Sequence, residues 1–136
     1  MKIRLDKLDI LCSEYIRRRA IFRTGGCERC LTPKFDIQKE DGSVYPDWKQ
    51  LQASHFIGRS NRAVRYDSSN LVGICAGCHI YLTGHPLEHV EFFKGLLGEE
   101  EFDLLNARTR VFARDIDESA IAIYYKQKIE VLKGDK

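Results

Sequence analysis

The sequence has no long apolar segment, and this absence limits the classes of protein to which it can belong. None of its apolar runs approaches the roughly 20 residues that are needed to span a bilayer. Its first residues alternate charged and apolar side chains, so they do not form the apolar core of a signal peptide. It also contains no internal repeat and no low-complexity tract. We therefore expect a cytoplasmic protein with no membrane-bound part.

The sequence also has little net charge, but the charge that it has is unevenly distributed. The formal net charge is +2 for 136 residues. Residues 1–65 carry 14 Lys and Arg against 8 Asp and Glu, whereas residues 66–136 carry 8 against 12. A concentration of positive charge in one half of a chain favours a polyanionic partner at that half. At this length we expect one small domain with helical extensions.

Four of the five cysteines form two pairs with the same spacing, Cys27 with Cys30 and Cys75 with Cys78. Two thiolates separated by two residues can bind one tetrahedral zinc ion, and a second such pair completes an all-sulfur shell with no open position. In a reducing cytosol, paired cysteines are more often metal ligands than disulfides. We therefore predict one structural Zn²⁺, with Cys12 as a small buried apolar residue.

The spacing of apolar residues predicts a helical chain with a few short strands between the cysteine pairs. Spacings of three and four residues, together with Gly and Pro signals, predict helices at about 4–22, 75–82, 86–97, 99–113 and from Asp115 or Asp117 to 134. Short strands are expected at 51–57, 64–66 and 71–74. Residues 34–50 favour either a hairpin or an irregular loop.

The two cysteine pairs are separated by a long segment that contains polar residues typical of a catalytic site. Cys30 and Cys75 have 44 residues between them, which is too many for a compact zinc ribbon with about 15–20 and enough for a pair of strands. His55 and Asn70 lie within this segment, and His79 follows the last cysteine directly. The zinc would stabilise the fold, so the chemistry would fall to the histidines.

This order of residues resembles that of a known enzyme family. The string Cys-x-x-Cys, Ser-His-Phe and Asn-Leu-Val-Gly-Ile-Cys-Ala-Gly-Cys-His is similar to the HNH endonucleases of the ββα-metal class. Within that class the chain looks most like phage-encoded HNH proteins related to the lambdoid recombination protein NinG (Rap). The segments that carry this closer resemblance are 53–59, 65–67 and 84–85.

The resemblance covers about residues 27–97 and implies an α+β fold. It implies a small zinc-stapled, treble-clef-like ββα core at 27–97, preceded by an N-terminal helix at 1–26. A helical C-terminal extension at 98–136 would follow, and these three parts form the predicted domain organisation.

The resemblance also implies roles for individual residues. His55 would be the general base, Asn70 would hold the loop that orients His55, and His79 would bind a catalytic Mg²⁺ or Mn²⁺. A near-neutral imidazole can accept a proton from water at pH 7, and a cation neutralises the charge that develops on the phosphodiester. His85 is expected to be either a second ligand of this metal or a structural residue.

Two groups of arginines are candidates for phosphate contact. Arg59, Arg62 and Arg65 recur every three residues after His55, and we expect them to bind the DNA backbone. A second group, at 17–19, favours either a phosphate-facing edge or a solvated helix face.

One position departs from the family pattern. Many members have Asp or His as a metal ligand immediately before the base, and this chain has Ser54. A neutral hydroxyl is a poor primary ligand for a hard cation. The metal would then be held by His79 together with His85 or with an acidic side chain such as Asp67 or Asp47, or the site would be inactive.

These observations favour a metal-dependent DNA endonuclease, and the closer resemblance implies that it is phage-encoded and acts on branched or recombination DNA. The C-terminal helices would serve as an arm for DNA or for a homodimer, and their acidity favours contact with protein. The alternative is a non-catalytic zinc module that binds DNA or a protein, with Ser54 marking a lost metal site. A third interpretation, a sequence-reading transcription regulator, lacks an evident recognition helix.

Overall fold

The computed structural model describes residues 5–134, which form an α+β fold as predicted. The helices are α1 Lys7–Thr24, α2 Ala76–Thr83, α3 Pro86–Leu97, α4 Glu99–Arg108 and α5 Glu118–Gly134. Two antiparallel sheets pair β1 Ile37–Gln38 with β2 Val44–Tyr45, and β3 Gln52–His55 with β4 Leu71–Ile74. Across residues 5–134, the helices are too short or too polar to cross a membrane.

Local signals set both ends of α1. Asp6 is the N-cap, and it forms a capping box with Asp9 in which each side chain accepts a hydrogen bond from the other residue's backbone N–H at 2.8 Å. Gly25 ends the helix with φ 74°, a left-handed conformation that glycine adopts without steric cost. The helix predicted at about 4–22 is therefore confirmed as Lys7–Thr24.

The β3–β4 hairpin lies at the centre of the molecule. All four residues of β4 are buried, because the strand separates two apolar clusters. Leu71 belongs to the cluster beneath α1 and α5, whereas Val72 and Ile74 belong to the cluster that includes Cys27 and Cys78. In the register of the sheet His55 pairs with Leu71, so the predicted base stands at the end of β3.

Helix α5 packs along α1 and completes the second apolar cluster. The Tyr125 side chain is 1% exposed, and its hydroxyl donates a hydrogen bond to the backbone carbonyl of Tyr66. It packs with Leu8, Cys12 and Ile16 of α1. The C-terminal helix therefore shares a core with the N-terminal helix.

Two predicted elements are wrong. Residues 64–66 form a turn instead of a strand, and all three consecutive side chains are buried, which an alternating strand with one solvent face does not allow. The helix predicted at 99–113 ends at Arg108, because Val111 and Phe112 are exposed and do not extend its buried face.

Candidate metal centre and histidine cleft

The four predicted zinc ligands come together in the structure. The sulfur atoms of Cys27, Cys30, Cys75 and Cys78 all lie within 4.8 Å of one another. The Sγ atoms of Cys30 and Cys75 are 3.8 Å apart. A tetrahedral zinc with Zn–S bonds of about 2.3 Å places its sulfurs about 3.8 Å apart, so the cluster fits a zinc ion.

Backbone geometry holds the first cysteine pair in this position. The Cys27 sulfur accepts hydrogen bonds from the backbone N–H groups of Cys30 at 3.5 Å and Cys75 at 3.3 Å. Leu31 takes a left-handed conformation with φ 62°, which turns the chain sharply after the pair. A Cβ atom at Gly26 would lie 2.1 Å from the Thr32 carbonyl oxygen, so this close approach requires glycine.

The buried side chain of Glu28 joins the first cysteine pair to the central sheet. Its carboxylate accepts a hydrogen bond from the Gly73 N–H at 2.8 Å, and its own N–H donates to the Gly73 carbonyl at 3.0 Å. Arg23 lies 3.5 Å from the same carboxylate and balances its charge. Two segments that are far apart in the sequence are therefore held at one site.

The thiols of the cluster differ in their ease of ionisation. Hydrogen bonding with Thr32 lowers the pKa of Cys30 to about 6. Burial raises the pKa of Cys78 to about 12, although the Arg29 guanidinium lies 3.4 Å from its sulfur and opposes that effect. Zinc binds thiolates and displaces their protons, so its binding is coupled to pH and to folding.

A cleft of about 570 Å³ contains two of the predicted catalytic residues, His55 and His79. One part of its lining comes from the β3–β4 hairpin with the residues that flank β3 and from α2, and the other comes from α1 and the residue Leu5 before it. The polar and charged residues that line it are Asp9, Ser13, Arg17, Gln52, His55, Arg59 and His79. The first helix, which the family resemblance does not cover, therefore forms part of the cleft.

The hydrogen bonding of His55 suits a proton acceptor. Its Nε2 atom lies 2.9 Å from the backbone carbonyl oxygen of Arg65. A carbonyl oxygen can only accept, so Nε2 carries the hydrogen and Nδ1 keeps its lone pair. Burial lowers the pKa of His55 below its ordinary value, because the charged form loses solvation. The neutral form of the ring therefore predominates at pH 7.

Asn70 fixes the loop that supplies this carbonyl group. The residue is 0% exposed. Its amide oxygen accepts a hydrogen bond from the Ile57 N–H at 2.7 Å, and its amide nitrogen donates to the carbonyl oxygens of Ile57 at 2.9 Å and Val64 at 3.1 Å. Val64 directly precedes Arg65, so this bonding holds in place the chain segment that orients His55.

His79 has one free ring nitrogen in the same cleft. Its Nδ1 atom lies 2.5 Å from the amide oxygen of Gln52, which can only accept, so Nδ1 carries the hydrogen. Nε2 is then available as a metal ligand, with Gln52 fixing the ring in the way that outer partners orient metal-binding histidines. Gln52 itself is a residue that the sequence did not single out.

The other candidate metal ligands do not join His79. His85 is exposed, stacks on Tyr81 with ring centroids 3.9 Å apart, and has Nδ1 2.6 Å from the Tyr81 carbonyl oxygen. It does not line the cleft. His89 packs edge-on against Phe56 and Phe93, with ring centroids 5.4 Å from each.

The acidic candidates also have other roles. Asp67 forms an ion pair with Arg108 at 2.6 Å, and the Asp47 carboxylate accepts a hydrogen bond from the Trp48 N–H at 2.7 Å. Ser54 is 2% exposed and does not line the cleft. Among residues 5–134, the cysteines form the one cluster of three or more metal-ligand side chains.

The structure separates the three predicted DNA-binding arginines. Arg59 lines the cleft. Arg62 is exposed, and its guanidinium lies 3.6 Å from the Glu118 carboxylate. Arg65 is 5% exposed, and its Nε and Nη2 atoms contact the two carboxylate oxygens of Asp9 at 3.0 and 2.5 Å. The prediction for Arg65 is therefore corrected, because this buried ion pair leaves its guanidinium unavailable to DNA.

The arginines at 17–19 also have separate roles. Arg19 is buried and donates hydrogen bonds to the carbonyl oxygens of Ser68 and Leu71 at 3.2 and 2.9 Å. Arg18 pairs with Glu14 at 2.9 Å. Arg17 lines the cleft. A single function for the run, whether a phosphate-facing edge or a solvated face, does not describe it.

Comparison of the chain with protein-family models, with curated proteins and with solved structures finds no match. Assignment to the HNH family therefore remains a prediction from the sequence motifs.

Proposed function

We propose that this protein is a metal-dependent DNA endonuclease of the HNH type. The observation that supports this best is that one cleft holds His55 with a free Nδ1 and His79 with a free Nε2. Arg17 and Arg59 line the same cleft, and neither forms an ion pair with residues 5–134. Two unpaired cations and two imidazoles suit a phosphodiester substrate.

In this mechanism His55 accepts the proton of the attacking water at Nδ1. The Arg65 carbonyl stabilises the resulting imidazolium through the Nε2 hydrogen bond, and Asn70 maintains that geometry. His79 would bind the Mg²⁺ or Mn²⁺ through Nε2, and that cation supplies charge neutralisation at the phosphate. One neutral imidazole is a weak site for Mg²⁺, which proteins usually hold through one or two carboxylates, so most of the ligands would come from water and the substrate phosphate.

The finer assignments rest on the family resemblance. It supports a phage-encoded enzyme that acts on branched or recombination DNA in the cytoplasm of a bacterial host. For the homodimer through the C-terminal helices, the exposed apolar residues Ile123 and Val131 of α5 would supply the contact.

The test is strand scission with a panel of DNA substrates. Purified protein is incubated with Mg²⁺ or Mn²⁺ and with linear, flapped and four-way DNA, and the products are separated on denaturing gels. We expect cutting of at least one substrate, its loss in His55→Ala with DNA binding retained, and its persistence in His85→Ala. Cutting that survives in His55→Ala would refute the assigned base.

A second function, a non-catalytic zinc module that binds DNA or a protein, is favoured by one observation. Among residues 5–134, no acidic side chain joins His79 as a free ligand, because the cleft carboxylate of Asp9 is bound to Arg65. This alternative predicts zinc and DNA binding without scission of any substrate in the panel.

A further inference from the structure

We propose that Arg17 of the first helix binds a backbone phosphate of the DNA in the histidine cleft, and that Trp48 holds Arg17 in place. This inference rests on the proposed function for the identity of the polyanion. It adds to the binding surface a part of the chain that lies outside the segment resembling HNH proteins.

The position of Arg17 is the first step. It lines the cleft together with His55, His79 and Arg59, although it belongs to a different element from each of them. A phosphate that reaches the two histidines must enter a space that this guanidinium also borders. A phosphodiester in the cleft would therefore meet positive charge from the first helix as well as from the loop after β3.

The bonding of Arg17 leaves most of its donors available. Its Nε atom donates to the Ser13 carbonyl oxygen at 3.2 Å, and it forms no ion pair within residues 5–134. A guanidinium has five N–H donors in a planar fork that matches two phosphate oxygens. The terminal nitrogens can therefore contact a ligand without first breaking a protein ion pair.

Trp48 orders this side chain. The Arg17 guanidinium lies 4.7 Å from the centroid of the Trp48 ring, and the Trp48 side chain is itself buried. Contact between a guanidinium and an indole face is favourable and restricts the arginine rotamers. Because the restriction exists before DNA binds, less side-chain entropy is lost in forming the phosphate contact.

Arg18 provides a matched control on the same helix. Its guanidinium lies 4.5 Å from the same Trp48 ring, but it forms an ion pair with Glu14 and does not line the cleft. Replacing either arginine by glutamine removes one positive charge from α1 and one contact with Trp48. Only the replacement of Arg17 removes a charge from the cleft.

The experiment measures the affinity of the zinc-loaded full chain for a short DNA duplex and a four-way junction at several salt concentrations. In Arg17→Gln we expect affinity to fall about tenfold and the slope of log K against log salt to fall by about 0.7–0.9, the contribution of one phosphate contact. Arg17→Lys should recover the slope but only part of the affinity, because lysine keeps the charge without the planar fork. Arg18→Gln should keep the wild-type slope.

Zinc content and unfolding midpoint are measured for each variant, so that a loss of structure is recognised. If Arg17→Gln has lost structure, the salt slope of Arg17→Lys decides whether Arg17 contacts a phosphate. Equal salt slopes for wild type, Arg17→Gln and Arg18→Gln, or no salt-dependent DNA binding by the wild type, would overturn the proposal. Its failure is distinguishable from failure of the nuclease assignment. Equal slopes with cutting that depends on His55 reject only the Arg17 contact, whereas a reduced slope without cutting of any DNA rejects only the nuclease.

Discussion

Asn70 shows how one buried side chain determines the geometry around His55. All its hydrogen bonds within the described chain go to backbone groups on one short loop. An amide suits this role because it donates and accepts at once, whereas a carboxylate would accept only and a hydroxyl is too short. The His55 ring in turn depends on the carbonyl group that follows Val64. The stability of the fold and the orientation of the His55 ring are therefore linked at this residue.

We predict that Asn70→Ala lowers the free energy of unfolding by about 2–4 kcal/mol, because it leaves one buried donor and two carbonyl oxygens without their partner. Asn106→Ala is the control, since Asn106 forms a single hydrogen bond to the Phe102 carbonyl within its own helix. The free energy of unfolding of Asn106→Ala should fall by less than about 1 kcal/mol. Urea unfolding of the zinc-loaded proteins provides the comparison, and equal losses would contradict the assigned role.

Residue-level prediction from the sequence succeeded where a motif fixed the neighbours and failed where the partner was distant. The spacing of the cysteines was sufficient to predict their cluster. Arg65 was assigned to DNA because it recurs in a series with Arg59 and Arg62. Its actual partner, Asp9, lies 56 residues away on the first helix, and no local pattern indicates this ion pair.

At the scale of elements, α1 and β4 approach each other unusually closely. A Cβ atom on Gly73 would lie 2.6 Å from the Cβ of Ala20 and 3.2 Å from the Ile16 carbonyl oxygen. Only a strand residue without a side chain allows this packing. The approach matters for the cleft, because it sets the position of the helix that contributes Arg17.

We predict that Gly73→Ala destabilises the fold by about 1–3 kcal/mol, because the added methyl group forces α1 away from β4. Gly77→Ala is the matched control in α2, where an added Cβ meets nothing within 4 Å. It should stabilise the protein by about 0.5–1 kcal/mol through helix propensity. Thermal or urea unfolding tests both, and an unchanged stability in Gly73→Ala would show that the helix can shift without cost.

Elements with strong end signals were predicted well. Gly25, Pro86 and Gly98 stand at helix boundaries in the structure as the sequence indicates. The strand expected at 64–66 did not form, because burial of three successive residues depends on contacts with α1 and α5 rather than on periodicity. Such tertiary contacts override local patterns.

At the scale of the whole molecule, the cysteine cluster joins segments that are far apart in the sequence. One cysteine pair follows α1 and the other begins α2, with the central hairpin between them. Two of these cysteines, Cys27 and Cys78, belong to the apolar cluster that includes Phe93 and Phe102. Loss of the metal would therefore affect the helices at both ends of the core.

We predict that Cys27→Ser loses the bound zinc and the cooperative fold together, because metal binding and folding are coupled in small domains. Cys12→Ala is the control, since Cys12 is buried away from the cluster and burial raises the pKa of its thiol to about 11. It should retain one zinc per chain. Elemental analysis and circular dichroism give the result, and a well-folded wild type without zinc would defeat the prediction.

The most direct test of the central claim, that neutral His55 is the base, is the single-turnover rate of DNA cleavage as a function of pH at saturating DNA. Burial lowers the pKa of His55 below its ordinary value, so its neutral form predominates at pH 7 and is lost as the pH falls through that lowered value. We predict a rate that is level near pH 7 and falls in acid. The cleavage rate of His55→Ala should be about 10²–10⁴-fold lower than that of the wild type. The claim would be contradicted if His55→Ala cut DNA at the wild-type rate, or if the wild type cut no DNA.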